Sequence, residues 1–228
     1  AAVFCSPHNP TGRVWEREEL EKMMALFEKY EVQIVSDEIW SDIILPGHQH
    51  IPTQSVNAYA REHTVALYAP SKTFNLAGLV GAYHVVYNRT LTDRMIKETS
   101  LTHYNTMNVL SMHALIGAYS EEGREWRKEL CTVIQENRDF ACAYIEKFLP
   151  GLSVMPAEGT YMLFIDCGKY LAERGISLED LERKMWDYGV AVQDGKMFHG
   201  ESHVRMNLAS PKSRVEEAFR RLKEYVFV

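Results

Sequence analysis

The chain has 228 residues, of which 46% are hydrophobic and 25% are charged, a composition typical of soluble globular proteins. Its 25 basic and 31 acidic residues give a net charge of −6, and the basic residues are scattered, so we expect no nucleic-acid partner. No apolar run approaches membrane-spanning length, and the four cysteines show neither metal-ligand nor disulfide spacing. We therefore expect a cytoplasmic protein with no membrane partner and no metal site.

The first part of the chain alternates short apolar runs with an amphipathic stretch. Residues 3–6 have the pattern of a buried strand, and Arg17–Lys29 places its apolar side chains at helical spacing. Further strands are predicted at 32–36, 64–69 and 83–87, separated by loops that contain Gly, His and Pro. This order predicts a mostly parallel sheet covered by helices.

The pattern changes in the second half of the chain. Helical stretches are predicted between residues 91 and 148, and the last is long enough to connect two parts of a protein before Pro150 and Gly151 stop it. A smaller set of elements follows, with strands predicted at 152–155, 161–166, 190–193 and 204–207 and helices near 177–188 and 211–225.

These elements predict an α/β protein in three parts. Residues 1–122 would form part of a large domain, residues 123–150 a long connecting helix, and residues 151–228 a smaller α+β domain. Because the chain opens directly on a strand without a lead-in, we expect the large domain to be incomplete and the chain to be a piece of a longer protein.

Lys72 is the first candidate for chemistry. It lies in the segment Tyr-Ala-Pro-Ser-Lys-Thr-Phe-Asn at 68–75, just beyond a predicted buried strand. In open α/β sheets, ligands bind beyond the carboxyl ends of the strands, where a lysine could act as an amine nucleophile toward an aldehyde. The alternative is a loop lysine that reaches solvent, and an isolated Ser-Lys pair would favour that alternative.

Asp37 strengthens the interpretation of Lys72, because it also ends a buried strand. A carboxylate there is costly unless it pairs with a cation. The protonated ring nitrogen of pyridoxal 5′-phosphate (PLP) is such a cation, and PLP enzymes use an Asp at that nitrogen. Alternatively, Asp37 could cap a loop and Glu38 could be the functional carboxylate; we favour Asp37 because it follows the apolar run directly.

Asn9 lies in the segment Ser-Pro-His-Asn-Pro-Thr-Gly at 6–12, in which two prolines and a glycine restrict the backbone. The side chain of Asn9 could donate a hydrogen bond to the phenolate oxygen of a PLP ring, and Asn9-Pro10 is a candidate cis bond. As a plain turn, Asn-Pro-Thr-Gly would mean little, but its position before Asp37 and Lys72 in the chain supports the functional interpretation.

Three motifs in this order resemble class I and II aminotransferases of PLP fold type I: Asn-Pro-Thr-Gly at 9–12, Ser-Asp-Glu-Ile at 36–39 and Ser-Lys-Thr-Phe-Asn-Leu-Ala-Gly-Leu at 71–79. The resemblance covers the whole chain. It implies that residues 1–122 are the C-terminal part of the PLP-binding large domain. It also implies a homodimer when the enzyme is intact.

The resemblance implies a role for each candidate residue. In the family an Asn binds the 3′ oxygen of the ring, an Asp pairs with the pyridine nitrogen, a Lys forms the Schiff base and a distal Arg binds the substrate carboxylate. Asn9, Asp37 and Lys72 match the first three, and Arg205 in His-Val-Arg-Met-Asn-Leu at 203–208 matches the last. Ser71 is similar to a phosphate-contacting hydroxyl, although a loop serine faces solvent by default.

Arg205 can also be argued from its position in an apolar strand. An arginine there needs a buried anion, and its planar guanidinium suits a carboxylate. The alternative is a structural salt bridge with one of the many glutamates.

Trp40 and Val80 depart from the common aminotransferase pattern, which has Tyr and Arg at these positions. The segment 71–79, together with Glu-Gly-Thr-Tyr at 158–161, instead resembles the cystathionine β-lyase, or C–S lyase, branch. That branch would have His where this chain has Trp40, whose indole N–H could still donate a hydrogen bond to the cofactor.

The resemblance therefore implies PLP-dependent β-elimination at a C–S bond of a sulfur amino acid, which yields pyruvate, ammonia and a thiol. An aminotransferase is the first alternative, because the named residues serve both reactions. The second alternative is a catalytically inert fragment. In the family, the phosphate loop and the aromatic residue that stacks on PLP lie in the N-terminal half, which we expect to be missing here.

Overall fold

A computed structural model describes residues 1–99 and 107–228 and divides them into two compact units. The first unit contains residues 1–7 and 14–129, and the second contains residues 8–13 and 130–228. Residues 100–106, which fall within the predicted helical stretch 91–148, lie outside the described residues. The predicted domain limits at 122 and 150 remain predictions.

A four-stranded sheet forms the centre of the first unit. Its strands are β1 (Ala2–Cys5), β2 (Ile34–Asp37), β3 (Thr64–Tyr68) and β4 (Tyr83–Val85), arranged in that order. The pairs β1–β2 and β2–β3 are parallel, whereas β4 runs antiparallel to β3. The prediction of a mostly parallel sheet is therefore confirmed.

Helices of the first unit are α1 (Arg17–Lys29), α2 (Ala58–His63), α3 (Arg89–Thr99) and α4 (Val109–Ala118). Helix α1 begins and ends at the predicted residues. Its first turn is closed by a capping box between Glu16 and Glu19, and its buried face presents Leu20 and Met24 to Phe4 and other core residues. Helix α2 is too short for its periodicity to be recognised from the sequence.

The second unit is built on an antiparallel sheet, with strand order β5-β6-β8-β7. These strands are β5 (Ser153–Val154), β6 (Met162–Asp166), β7 (Gln193–Asp194) and β8 (His203–Asn207). Three helices accompany them: α6 (Gly168–Arg174), α7 (Leu178–Asp187) and α8 (Lys212–Arg221). Helix α7 starts with a capping box between Ser177 and Asp180, and its buried residues join a continuous apolar core.

Two expectations for the second unit need correction. A strand was predicted at 190–193, but only Gln193–Asp194 pairs with β8, because the Val190 N–H donates to the Met185 carbonyl and the Val192 carbonyl accepts from the Trp186 indole N–H. The helix predicted at 211–225 ends at Arg221, and a wider helical turn, Leu222–Val226, follows it.

The long helix α5 (Glu121–Phe148) is shared by the two units, with residue 129 the last that groups with the first unit. It begins and ends two residues earlier than the predicted range 123–150. Gly151 follows it with a φ of 88°, a conformation that glycine adopts readily.

Helices long and apolar enough to cross a bilayer are absent from the part of the chain that the structure describes.

Candidate active site

The sequence-predicted site residues are divided between the two units. Asp37, Trp40, Ser71 and Lys72 belong to the first unit, whereas Asn9 and Arg205 belong to the second.

In the first unit, parallel strand pairing brings Asp37 and the lysine segment to one edge of the sheet. Asp37 is the last residue of β2 and lies in register with Leu67, one residue before the end of β3. The chain then turns, with the Leu76 N–H donating to the carbonyl of Ser71 at 3.0 Å. Ser71 and Lys72 lie in this turn, at the carboxyl edge where ligands bind in such sheets.

Trp40 is a close neighbour of Lys72. The Lys72 Nζ atom lies 5.9 Å from the centroid of the Trp40 ring, within the range of a cation–π contact. Trp40 is only 4% exposed, so its ring forms a fixed apolar wall beside the lysine. The structure thus brings together Lys72 and the residue by which this chain departs from the C–S lyase pattern.

The two adjacent carboxylates, Asp37 and Glu38, have different environments. Asp37 is half-buried, and its Oδ1 atom accepts a hydrogen bond from the Ile39 N–H at 3.2 Å. Within residues 1–99 and 107–228, no cation pairs with Asp37. Its carboxylate therefore remains available for a cation from outside the chain.

Glu38 is completely buried and accepts four hydrogen bonds. Its Oε1 atom accepts from the Ser36 hydroxyl and the Thr53 N–H, both at 3.0 Å. Its Oε2 atom contacts His50 Nε2 at 2.8 Å and accepts from the Tyr68 hydroxyl at 2.9 Å. These five residues are called the Glu38 cluster below.

Electrostatics keep Glu38 ionised despite its burial. Burial by itself raises the pKa of a carboxyl group, but the hydrogen bonds and charge of His50, with those of Tyr68 and Thr53, outweigh it and lower the pKa of Glu38. The same burial and the neighbouring carboxylate raise the pKa of Tyr68, which therefore stays a hydroxyl donor. Glu38 thus links the end of β2 to Tyr68 at the end of β3 by a hydrogen bond. Both of its carboxylate oxygens already act as acceptors within the fold.

In the second unit, Arg205 is held between two neighbouring strands. On β8 it lies directly opposite Phe164 of β6 on one side and Gln193 of β7 on the other. Its Nη2 atom donates to Gln193 Oε1, and its Nη1 atom donates to Asn9 Oδ1 at 3.0 Å. The Phe198 ring centroid lies 4.8 Å from the guanidinium carbon. Asn9, Gln193, Phe198 and Arg205 are called the Arg205 cluster below.

The Arg205 cluster contains no anion. In the described ranges, no carboxylate forms an ion pair with Arg205, so the alternative of a structural salt bridge with a glutamate finds no support there. Burial lowers the pKa of Arg205, partly offset by the nearby Tyr161. A partly buried guanidinium with neutral partners is suited to bind an anion from outside.

The loop that carries Asn9 depends on Gly12. The Gly12 carbonyl accepts hydrogen bonds from the N–H groups of Glu158 and Gly159, both at 2.9 Å. Gly12 has a φ of +72°, and a Cβ atom there would lie 2.5 Å from Ala157 Cβ. Only glycine allows this close approach. The Asn9-Pro10 bond is cis, as expected from the sequence, and so is Ser6-Pro7.

Comparisons with known proteins identify the family. The model of the family "Aminotransferase class I and II" matches residues 2–222. The chain belongs to the class I and II aminotransferase family. The family prediction is thereby confirmed.

Proteins similar to the chain include some named cystathionine beta-lyase or C–S lyase. The chain is 33% identical to cystathionine beta-lyase PatB of Bacillus subtilis (strain 168) over 224 residues, which are 97% of this chain and 57% of PatB. Cystalysin from Treponema denticola, whose crystal structure contains pyridoxal 5′-phosphate, is 31% identical with a TM-score of 0.90; the match covers 98% of this chain and 56% of cystalysin.

The PLP-bound C–S lyase from Staphylococcus hominis is 30% identical with a TM-score of 0.86, and the match covers 98% of this chain and 57% of that one. These likenesses confirm the predicted fold class. Aspartate aminotransferases are also among the similar proteins. The chain spans 57% of the length of PatB, the curated relative named above.

Sequence reasoning missed several contributors to these clusters, among them Gln193, Phe198 and His50. Gln193 lies beside Arg205 because β7 pairs with β8, and Phe198 ends the 3₁₀ turn Lys196–Phe198 that follows β7; elements this short leave no periodic pattern to find. His50 lies in a loop, where a histidine is usually solvated, yet its side chain is 9% exposed and contacts Glu38. The one sign of this contact in the sequence is its partner Glu38, a glutamate close to the end of a predicted buried strand.

Proposed function

We propose that this chain contributes the lysine, aspartate, asparagine and arginine of a PLP site, and that the whole protein catalyses β-elimination at a C–S bond of a sulfur amino acid. The products would be pyruvate, ammonia and a thiol. The observation that carries the proposal is the position of Asp37 and the Lys72 turn, which emerge together at the carboxyl edge of the paired strands β2 and β3. The similarity to the cystathionine beta-lyase PatB and to the C–S lyase from Staphylococcus hominis supports the choice of reaction.

Residues of the chain suit the chemical groups of PLP. Lys72 offers a primary amine for the aldehyde, and Asp37 offers a carboxylate that no protein cation neutralises within the described residues. Asn9 uses its Oδ1 atom to accept from Arg205, so its amide N–H groups can donate to the phenolate oxygen. Ser71, next to the lysine, offers a hydroxyl for the phosphate.

Each residue has a defined task in the proposed reaction. When bound, the cofactor withdraws electrons from the substrate Cα. Asp37 would pair with the ring nitrogen and favour its protonated form, and Arg205 would bind the substrate carboxylate. Lys72 removes the Cα proton, and the thiolate then leaves Cβ with the electron pair of the C–S bond. Hydrolysis of the remaining three-carbon unit gives pyruvate and ammonia.

Transamination is the second candidate, because the same four residues would serve it and relatives named aspartate aminotransferases match the chain. The third candidate is a chain that contains these site residues but catalyses no reaction by itself. We test it because the chain matches only 57% of the length of PatB.

We also propose a homodimer in the cytoplasm. The four cysteines are thiols rather than disulfides, which suits a reducing compartment.

Selective labelling of Lys72 tests the cofactor site without requiring turnover. The 228-residue protein is incubated with PLP, reduced with borohydride, digested and mapped for pyridoxyl-lysine. We expect Lys72 to be modified in preference to the exposed lysines Lys22 and Lys212. Lys72→Ala, which should leave the labelling of those two lysines unchanged, is the control. Uniform labelling of all lysines would contradict the proposed site.

Turnover of L-cystathionine separates the reaction types. Pyruvate released without an added oxo acid supports β-elimination. Glutamate formed only in the presence of 2-oxoglutarate overturns the lyase assignment and supports an aminotransferase. Selective labelling of Lys72 with neither product supports the chain that does not turn over.

A further inference from the structure

Among the residues that the structure describes, the partners of Arg205 are all electrically neutral, and this is unusual for a partly buried guanidinium. Asn9 and Gln193 each accept one of its N–H groups through an amide oxygen, and Phe198 lies 4.8 Å from its centre. Guanidinium groups away from bulk water normally pair with carboxylates. Here the orientation of the group is fixed by neighbours that leave its charge uncompensated.

Gln193 is the neighbour whose placement depends most directly on the sheet. It is the cross-strand partner of Arg205 in the β7–β8 pair, and directly opposed residues share one face of a sheet. A Glu at this position would be of nearly the same size and could accept the same hydrogen bond. It would also neutralise Arg205, and bidentate pairs of this kind are strong.

We propose that Gln193 is a positioning and specificity residue, which holds the Arg205 guanidinium while leaving its full charge for the carboxylate of an amino-acid ligand. This inference rests on the role of Arg205 under the proposed function. Asn9 restrains one side of the guanidinium and Gln193 restrains the other, so the carboxylate meets a donor group that is already oriented. Such pre-organisation strengthens binding because less freedom is lost when the ligand arrives.

Two variants of Gln193 distinguish this role from a merely structural one. Gln193→Glu keeps an acceptor for Arg205 but removes the net charge of the pair, whereas Gln193→Leu removes the acceptor and keeps the charge. If Gln193 has only a structural role, Gln193→Leu should weaken ligand binding more than Gln193→Glu does. The proposed role predicts the reverse order for ligand binding. Gln33→Glu, at an exposed position in the first unit, is the matched control for the added negative charge.

Binding is measured by titrating the ¹⁵N-labelled protein with L-alanine and following the Nε–H signal of Arg205 by NMR. L-alaninamide, which lacks the carboxylate, is the comparison ligand. We expect the Kd for L-alanine to rise more than about tenfold in Gln193→Glu and roughly fivefold in Gln193→Leu, with no change in Gln33→Glu. Thermal unfolding should show Gln193→Glu to be at least as stable as the wild type, which excludes misfolding as the cause.

Two results would overturn the inference in different ways. If Gln193→Glu binds L-alanine as tightly as the wild type, the charge of Arg205 is not what Gln193 preserves, and the proposed function stands unaffected. If the wild type gives the same response to L-alanine and L-alaninamide, Arg205 is not a carboxylate site, and both the inference and this part of the proposed function fail.

Discussion

Each unit contains a charged group that is at least partly buried: Glu38 in the Glu38 cluster of the first unit and Arg205 in the Arg205 cluster of the second. The two groups differ in whether the fold supplies partners for the charge. Glu38 is completely buried, and four donors satisfy its carboxylate. Arg205 is partly buried and has only neutral partners among the residues that the structure describes. A charge whose partners are all present stabilises the fold, whereas a charge held without its counter-ion is suited to bind one.

Removal of the satisfied charge should have the largest effect. Glu38→Ala leaves His50, the Thr53 N–H and the Tyr68 hydroxyl without their acceptor in a buried space, and we expect a loss of about 3–5 kcal/mol in the free energy of unfolding. Urea denaturation followed by circular dichroism measures it. Glu62→Ala, at an exposed position of the same unit, should change stability by less than about 0.5 kcal/mol. Equal losses of unfolding free energy in Glu38→Ala and Glu62→Ala would show that the buried hydrogen bonds of Glu38 do not stabilise the fold.

The loop that brings Asn9 to Arg205 should be the next most sensitive feature. Gly12→Ala combines a positive φ with a Cβ atom 2.5 Å from Ala157 Cβ, and we expect it to cost about 3 kcal/mol in unfolding free energy. Gly47→Ala is the matched control, because Gly47 has a φ of +95° but no atom within 4 Å of an added Cβ. It should cost about 1 kcal/mol. If Gly12→Ala and Gly47→Ala lose the same unfolding free energy, the close approach of Ala157 to Gly12 does not contribute to the cost of the substitution.

Acidification should sharpen the comparison, because the pKa of Glu38 is lowered by the fold. A carboxyl group with a lowered native pKa adds stability above its unfolded pKa, about 4.3, and loses that contribution as the pH falls through the native value. We expect the stability difference between the wild type and Glu38→Gln to shrink as the pH decreases below about 4. Unfolding free energies at several pH values test this, and a difference independent of pH would contradict it.

Loss of the unsatisfied charge should have the smallest effect on stability. Arg205→Leu removes a cation that has no counter-ion in the described residues, so we expect its unfolding free energy to stay within about 1 kcal/mol of the wild type. Arg138→Leu is the paired variant in the same unit, since Arg138 donates to the Ala157 carbonyl and pairs with Asp139, each at 2.7 Å. It should be clearly less stable than Arg205→Leu. The opposite order would mean that Arg205 is structural.

The sequence was sufficient for features that depend on local pattern and on motif order. Helix Arg17–Lys29 was predicted because the spacing of its apolar residues is a local signal. Motifs around Asn9, Asp37 and Lys72 predicted the family, which the match over residues 2–222 confirms. The functional roles of these residues remain predictions that the labelling and turnover experiments address.

Tertiary structure decided the features that depend on pairing between distant segments. The sequence left Asp37 and Glu38 as alternatives for the functional carboxylate. Their environments differ because the β2–β3 pair and the loop that follows β2 bring residues 36, 50, 53 and 68 together around Glu38. Gln193 became a neighbour of Arg205 through the β7–β8 register. Local pattern determines which elements form, but the register of strands far apart in the chain determines which side chains meet, and no periodicity in either strand encodes that register by itself.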